Sequence, residues 1–292
     1  MGEPPALRRC FAAPASNGPG VSRSSHGAGA ASSSCLGSGC WNAPRPGATP
    51  APLEGGEPVL SLVIPAFNEE LRLPATLERV RQYLDGTGEQ YEVIVVDDGS
   101  LDGTVRVAGA AAAIWPQLRV IPLPRNLGKG AAVRAGMLAS GGEVRAFSDA
   151  DLSTPIEELP KLRERLDSAC QVVIGSRATP GAVIEAHQPR RREMMGRAYN
   201  RLLRVLALPG LHDTQCGFKV FTAEAAVRCF EPLRTLRYGF DAEVLLRARR
   251  LGYSVAEVPV RWAHREDSRV SPLRDSAHTL YELASLRFTV RR

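Results

Sequence analysis

The stretch YEVIVVDDGSLDGT, residues 91–104, joins a β-branched apolar run to two carboxylates, a glycine and a helix start. It reads as a strand with an abrupt end: Gly99 permits the sharp exit, and a helix is expected from about Asp102, which can cap it. The same texture continues on both sides. Before it come VLSLVIP and RLPATLERVRQYL; after it come LRVIPL, GKGAAVRAGMLAS and GEVRAFSD. Short strands alternating with helical patterns predict an α/β fold with a parallel sheet and crossover helices. Ligands of such sheets bind beyond the carboxyl ends of the strands. Three strands here end in polar clusters, PAFNEE, DDGSLDGT and DADLSTP, and together they predict a site.

Beyond Pro155 the pattern loosens. A helix is expected near 156–168, then the strand QVVIGS and an Arg-rich helix around 189–207. The short segment QCGFKVF, the helix AEVLLRARRLGY, the strand SVAEVPVRW and a helical stretch from Ser271 follow. Residues 1–57 are rich in Gly, Ala, Ser and Pro without apolar periodicity, so they are expected to form a disordered leader. One domain is expected over 58–292, with a nucleotide-sugar-binding half at 58–155 and an acceptor-binding half at 156–292.

The whole chain has 292 residues, 44% hydrophobic and 23% charged, which suits a globular protein. Lys plus Arg outnumber Asp plus Glu by 37 to 31, an excess that favours an anionic partner such as a nucleotide or a phospholipid surface. No run reaches the roughly 18–20 apolar residues of a membrane span and no signal peptide opens the chain, so a location inside the cell is expected. Of the cysteines, Cys10, Cys35 and Cys40 fall in the leader and Cys170, Cys216 and Cys229 are scattered singly. They are read as reduced thiols, and zinc-site spacing is absent.

Asp97 and Asp98 end a hydrophobic strand and can accept hydrogen bonds from a base or ribose. Asp149 and Asp151 straddle Ala150, and side chains two apart in extended backbone point the same way, so both can share one Mg²⁺ or Mn²⁺. In RNLGKGAAVRAG, Gly128 and Gly130 allow close backbone approach while Arg125 and Lys129 can meet phosphate near a helix start. The spacings GxxxxGK[ST] and GxGxxG are both missing, which removes P-loop and dinucleotide readings.

Read in order, PAFNEE, VVDDGSLDGT, NLGKGAA and SDADLSTP resemble the inverting nucleotide-sugar glycosyltransferases of family 2, with the GT-A fold. GSR at 175–177, DTQCGFKVF at 213–221, FDAEVL at 240–245 and EVPVRW at 257–262 are similar to one branch, the dolichyl-phosphate β-glucosyltransferases and their bacterial polyprenyl-phosphate relatives. The resemblance spans about 59–290. It implies a Rossmann-like, mostly parallel sheet in a single domain, and transfer of glucose from UDP-glucose to a polyprenyl phosphate. Pro65, Ala66, Asn68, Glu69, Asp97, Asp98, Lys129, Asp149 and Ala150 would then bind the nucleotide sugar, and Asp149 and Asp151 the metal. Asp151, Arg177, Asp213 and Gln215 would be catalytic, Asp213 and Gln215 by orienting sugar hydroxyls; a loop cap is the alternative for Asp213.

Arg177, the Arg190–Arg192 cluster including Arg191 and Arg192, and Arg265 match positions that grip phosphates in lipid-phosphate relatives. The segment RRREMMGRAYNRLLRVLAL mixes Arg with apolar residues at helical spacing, which suits an interfacial helix on anionic lipid. Trp262 and His264 either line the acceptor channel or pack at its rim. Asp241 and Glu243 open a helix, where acids are expected for dipole reasons. The implied setting is a peripheral enzyme on the cytoplasmic leaflet of a bacterial membrane. GDP-mannose in place of UDP-glucose, or nucleotide-sugar binding without turnover, stay open at this point. A nucleic-acid role has no stacking platform behind it, with aromatic residues at 6%.

Overall fold

A computed structural model describes residues 59–186 and 208–265 together with positions 194, 196, 198, 200–202 and 204. The leader at 1–57, most of the Arg-rich segment and the stretch from Ser271 lie outside the described residues.

Seven strands form one sheet in the order β3-β2-β1-β4-β7-β5-β8. In chain order these are β1 (Leu60–Ala66), β2 (Tyr91–Asp97), β3 (Leu118–Pro122), β4 (Val144–Phe147), β5 (Val172–Ser176), β7 (Lys219–Thr222) and β8 (Val255–Pro259). All run parallel except β7, which lies antiparallel between β4 and β5. A short β6 (Val183–Ala186) pairs in parallel with β9 (Arg261–Ala263) in a separate ladder.

Helices cover both faces, and the apolar pattern says why. In α1 (Leu73–Asp85), Leu73, Leu77, Val80 and Leu84 fall on one stripe, and Pro74 sits at the first turn, where its missing N–H costs nothing. That stripe packs with Leu62, Ile64, Val93 and Val95. The alternate residues Val63, Ile94 and Val96 face the other way, against α3 (Lys129–Ala139). α3 is rich in small residues because it lies close to the sheet: a Cβ on Gly136 would come 2.3 Å from Val63. Below α3, Phe147, Phe221, Phe230 and Phe240 form a cluster with centroids 5.3–6.4 Å apart.

Three expectations change. The strand SVAEVPVRW is two strands, β8 and β9, separated at Val260. The expected helix at 156–168 is a single 3-10 turn, Ile156–Glu158, followed by the five-residue α4 (Leu159–Arg163). QCGFKVF runs into β7 and from there into α5 (Ala223–Phe230), a helix that the sequence reading did not include. Its start was signalled by Thr222, whose side chain caps the Ala225 amide. The remaining helices are α2 (Thr104–Ala112) and α6 (Phe240–Arg250). Cys170, Cys216 and Cys229 are free thiols, as expected. Among the described residues, no helix is long and apolar enough to cross a membrane.

Candidate active site

The strand order turns at β1 and β4, and a crevice beyond the carboxyl ends of neighbouring strands is the ligand site of open α/β sheets. The loops leaving β1 and β2 are knitted together. Asn68, at φ 54°, accepts from the Leu101 amide through Oδ1 at 2.8 Å and donates its own amide to Ser100 Oγ at 2.8 Å. The Glu69 amide donates to Thr104 Oγ1, and the Glu69 carboxylate pairs with Arg72 at 2.7 Å. Ala66 is buried beside the half-buried Pro65, and its carbonyl accepts from the Asp98 amide. Asp98 in turn accepts the Leu127 and Gly128 amides at 2.8–3.1 Å. Burial pushes the Asp98 carboxyl up, and those two amides pull it back.

The glycines expected to admit a phosphate admit the chain itself. At Gly128, φ is 109° and a Cβ would meet the Leu236 carbonyl at 2.5 Å, while one on Gly130 would meet Phe240 at 2.6 Å. The Leu236 carbonyl also takes the Ala131 amide at 3.0 Å. The segment around Leu236 and Phe240 fills the space beside the two glycines and takes one amide of the helix start, that of Ala131. One acceptor stays open: Asp97 holds the Ser100 amide with Oδ2, while its buried Oδ1 has no donor.

At the exit of β4, Asp149 pairs with Lys129 at 2.5 Å. Ala150 is fixed by Thr76 Oγ1, which donates to its carbonyl at 2.6 Å. Asp151 accepts the Ser153 amide at 2.9 Å, and Leu152 between them adopts φ 46°. Burial raises the Asp151 carboxyl and the charge of Asp149 raises it further. Burial alone would lower Lys129; the carboxylates of Asp149 and Asp241 outweigh it and raise it. Gly217 lies so close to Asp149 that a Cβ there would stand 1.9 Å from its carboxylate.

At the exit of β5, Arg177 is gripped by Asp213: Nε donates at 2.6 Å, Nη2 at 2.9 Å and the Arg177 amide at 3.0 Å. Burial would raise the Asp213 carboxyl, but the Arg177 guanidinium holds it down at about 2. Glu257, from β8, takes the amides of His212 and Asp213 at 2.7 and 2.8 Å and the His212 ring at 2.9 Å. The face of Trp262 lies 5.3 Å from the Arg177 guanidinium, with His264 stacked beside it. The Ala263 amide donates to Ser153, which ties this ladder to the Asp149–Asp151 loop. Half-buried Gln215 donates its amide to Asp213, and Arg265 is exposed beyond β9. Arg191 and Arg192 lie outside the described residues.

The structure thus brings Lys129, Asp149 and Asp151 together at one strand exit and Arg177, Asp213 and Gln215 at the next, with Asp97 and Asp98 across β1. Sequence reasoning missed two buried acids. Asp241, assigned to the helix dipole, forms a buried pair with Lys219 at 2.5 Å. Glu243 accepts the Arg234 and Thr235 amides and Arg247. Glu257 was visible only as part of EVPVRW.

A crossover-helix sheet with acidic loops at its carboxyl edge is the frame of a nucleotide-sugar glycosyltransferase with the GT-A fold. The model for Glycosyl transferase family 2 matches residues 61–230, more than half of the chain, and the chain belongs to that family. It is a glycosyltransferase. It is 37% identical over 226 residues to the dolichyl-phosphate beta-glucosyltransferase of Homo sapiens, covering 73% of this chain and 70% of that one. It is 36% identical over 231 residues to a dolichyl-phosphate beta-glucosyltransferase of Trichomonas vaginalis, covering 76% and 68%. Among solved structures, glucosyl-3-phosphoglycerate synthase from Mycobacterium tuberculosis, in complex with Mn²⁺, UDP and phosphoglyceric acid, superposes with a TM-score of 0.57 at 23% identity over 78% of each chain.

Proposed function

We propose that the protein transfers glucose, with inversion, from UDP-glucose to a polyprenyl phosphate of the dolichyl type, as a peripheral enzyme on the cytoplasmic face of a membrane that depends on Mg²⁺ or Mn²⁺. The observation that carries this reading is the mounting of Arg177. Asp213 engages Nε and Nη2, and Trp262 backs the guanidinium, so a fixed cation whose Nη1 is not engaged by Asp213 stands beside the acidic loop. A bidentate-held arginine is suited to an anionic acceptor.

The residues present fit a divalent cation. Asp149 and Asp151 form an all-oxygen donor pair, and the raised Asp151 carboxyl is one that a cation would hold ionised. Among the described residues no larger group of His, Cys, Asp and Glu is arranged for a metal, which leaves further coordination to water and diphosphate. When bound, the cation would neutralise the leaving diphosphate.

The chain's own groups do the rest. The open oxygen of Asp97 accepts from the nucleoside, and Pro65, Ala66, Asn68, Glu69 and Asp98 shape that end of the crevice. Lys129 holds Asp149 until donor arrives. The acceptor phosphate, with a second pKa of about 6, is largely ionised at neutral pH, so attack requires no strong base. Asp213, ionised far below neutrality, is suited to orient Arg177 instead of taking a proton. Gln215 reaches sugar hydroxyls, and Arg191, Arg192 and Arg265 join Arg177 in holding the acceptor phosphate. The names of the human and Trichomonas relatives support glucose and dolichyl phosphate, and the mycobacterial complex supports UDP with a divalent cation.

The test is transfer of labelled hexose into organic-extractable lipid by purified protein with polyprenyl phosphate, comparing UDP-glucose with GDP-mannose and Mg²⁺ or Mn²⁺ with chelator. Label from UDP-glucose that disappears with chelator is expected. Label from GDP-mannose alone, or label indifferent to chelator, refutes the donor or the metal respectively.

A further inference from the structure

Lys219 is the one lysine in the described core with no solvent exposure, and its place in the sheet is particular. On β7 it pairs in register with Phe147, the last residue of β4, and with Ile174 of β5. These two strands lead into Asp149 and Arg177. Its Nζ donates to Asp241 at 2.5 Å and to the Cys216 carbonyl at 2.5 Å, and lies 5.2 Å from the Phe147 ring centroid.

Each partner leads to the site. The Cys216 carbonyl belongs to the turn 213–217, which carries Asp213 at one end and Gly217, pressed against the Asp149 carboxylate, at the other. Asp241 is in the first turn of α6, next to Phe240, which packs on Gly130 and lies under Lys129 at 6.0 Å. One ammonium therefore joins the turn behind Asp149 to the helix behind Lys129.

Stability alone does not account for such a pair. Taking both charges out of water costs several kcal/mol per ion, and uncharged side chains of similar size commonly serve as well or better. What a charged pair supplies is direction: Lys219 must point at both oxygens, and this fixes the turn.

We infer that the buried Lys219–Asp241 pair is a positioning device for the transfer site, setting the 213–217 turn against Asp149 and, through Asp213, the aim of Arg177. The consequence for catalysis rests on the function proposed above; the consequence for the turn does not.

The test is the uncharged double variant Lys219→Met with Asp241→Asn in the full chain, followed by thermal melting, amide hydrogen exchange and steady-state kinetics. Melting within about 5 °C of wild type is expected. Exchange of the 213–217 amides should rise at least about tenfold while β1 and β2 keep their protection. With UDP-glucose and polyprenyl phosphate, kcat should fall about 30- to 100-fold and the KM for UDP-glucose should stay within about threefold, as expected for misplaced reacting groups. Lys219→Arg, which keeps the charge, should recover protection and most of kcat. Exchange and kcat both within twofold of wild type would overturn the inference. If the double variant does not fold, Asp241→Asn alone carries the same exchange test, because the Lys219 ammonium then meets a neutral amide oxygen in place of the carboxylate, beside the Cys216 carbonyl. Failure of wild type to glucosylate polyprenyl phosphate would refute the proposed function, and exchange at 213–217 would still decide the inference.

Discussion

Two pairs of aspartates leave the two strands that flank β1, and they are used in opposite ways. Asp97 and Asp98 end β2 side by side, and three of their four oxygens accept backbone amides, from Ser100, Leu127 and Gly128. Asp149 and Asp151 follow β4 one residue apart. There Ser153, through its amide and side chain, and the Lys129 ammonium are the partners, and the charge of Asp149 pushes the Asp151 carboxyl up. The first pair is mostly folded into the loops, with one oxygen open. The second is held in an electrostatically unfavourable arrangement that a cation would relieve. Residue type is the same; spacing and available amides decide which pair builds the fold and which, in the function proposed above, meets a ligand.

The sharpest way to break the comparison is Asp151→Ala. Transfer should fall by at least about 10²- to 10³-fold, the scale of losing a preorganised electrostatic group. The melting temperature should stay within about 3 °C, since one amide bond is lost and a like-charge repulsion is relieved. Label transfer beside a thermal melt reads both. A large drop in melting temperature would put Asp151 with the fold-building pair.

Asp98→Ala should do the reverse. Two charge-assisted bonds vanish and two amides are left buried, a cost of about 3 kcal/mol. For a domain of this size that lowers the melting temperature by roughly 6–12 °C. UDP binding by the folded protein at low temperature should change less than about threefold, as expected for a residue outside the direct contact. A variant that melts like wild type but loses UDP would make Asp98 a ligand contact.

Asp213 extends the contrast to a third strand exit. Its carboxyl is depressed in the folded protein, so its contribution is present above the unfolded value of about 3.9 and is lost as pH falls through about 2. The expected loss is about 2 kcal/mol between pH 4 and 2, measured as the difference between urea melts of wild type and Asp213→Asn. If both lose stability in parallel over that window, the Arg177 pair is not what depresses Asp213.

What the sequence disclosed follows the same division. The front of the sheet was readable because each strand, its exit glycine or acids and the next helix are contiguous, and a parallel crossover sheet brings such exits to one edge. The role of Asp98 was not readable, since its partners lie beyond another strand, at Leu127 and Gly128. Nor were Lys219 with Asp241, 22 residues apart, or the Glu257 carboxylate with the Asp213 backbone amide, 44 apart: charged residues in an apolar pattern give no sign of which buried group they meet. β7 is four residues long, and KVFT carries no mark of strand direction.

The smallest effect is the most exacting test of the claim that surroundings, not distance, separate the pairs. Arg106 meets Glu70 at 2.7 Å, nearly as short a contact as Lys129 to Asp149, between the β1 and β2 loops. The Arg106 side chain is 73% exposed, against 23% for Lys129. Water competes for the first pair and salt screens it, while the second is sheltered beside two carboxylates. Arg106→Ala should therefore shift stability by no more than about 0.5 kcal/mol and leave transfer unchanged. Glu70 still accepts the Gly103 amide, so the loop keeps a bond that does not involve Arg106. A loss above about 1.5 kcal/mol in urea melts, or one that persists at 1 M salt, would mean that the β1–β2 rim depends on charge as the β4 exit does, and the division between the two edges would fail.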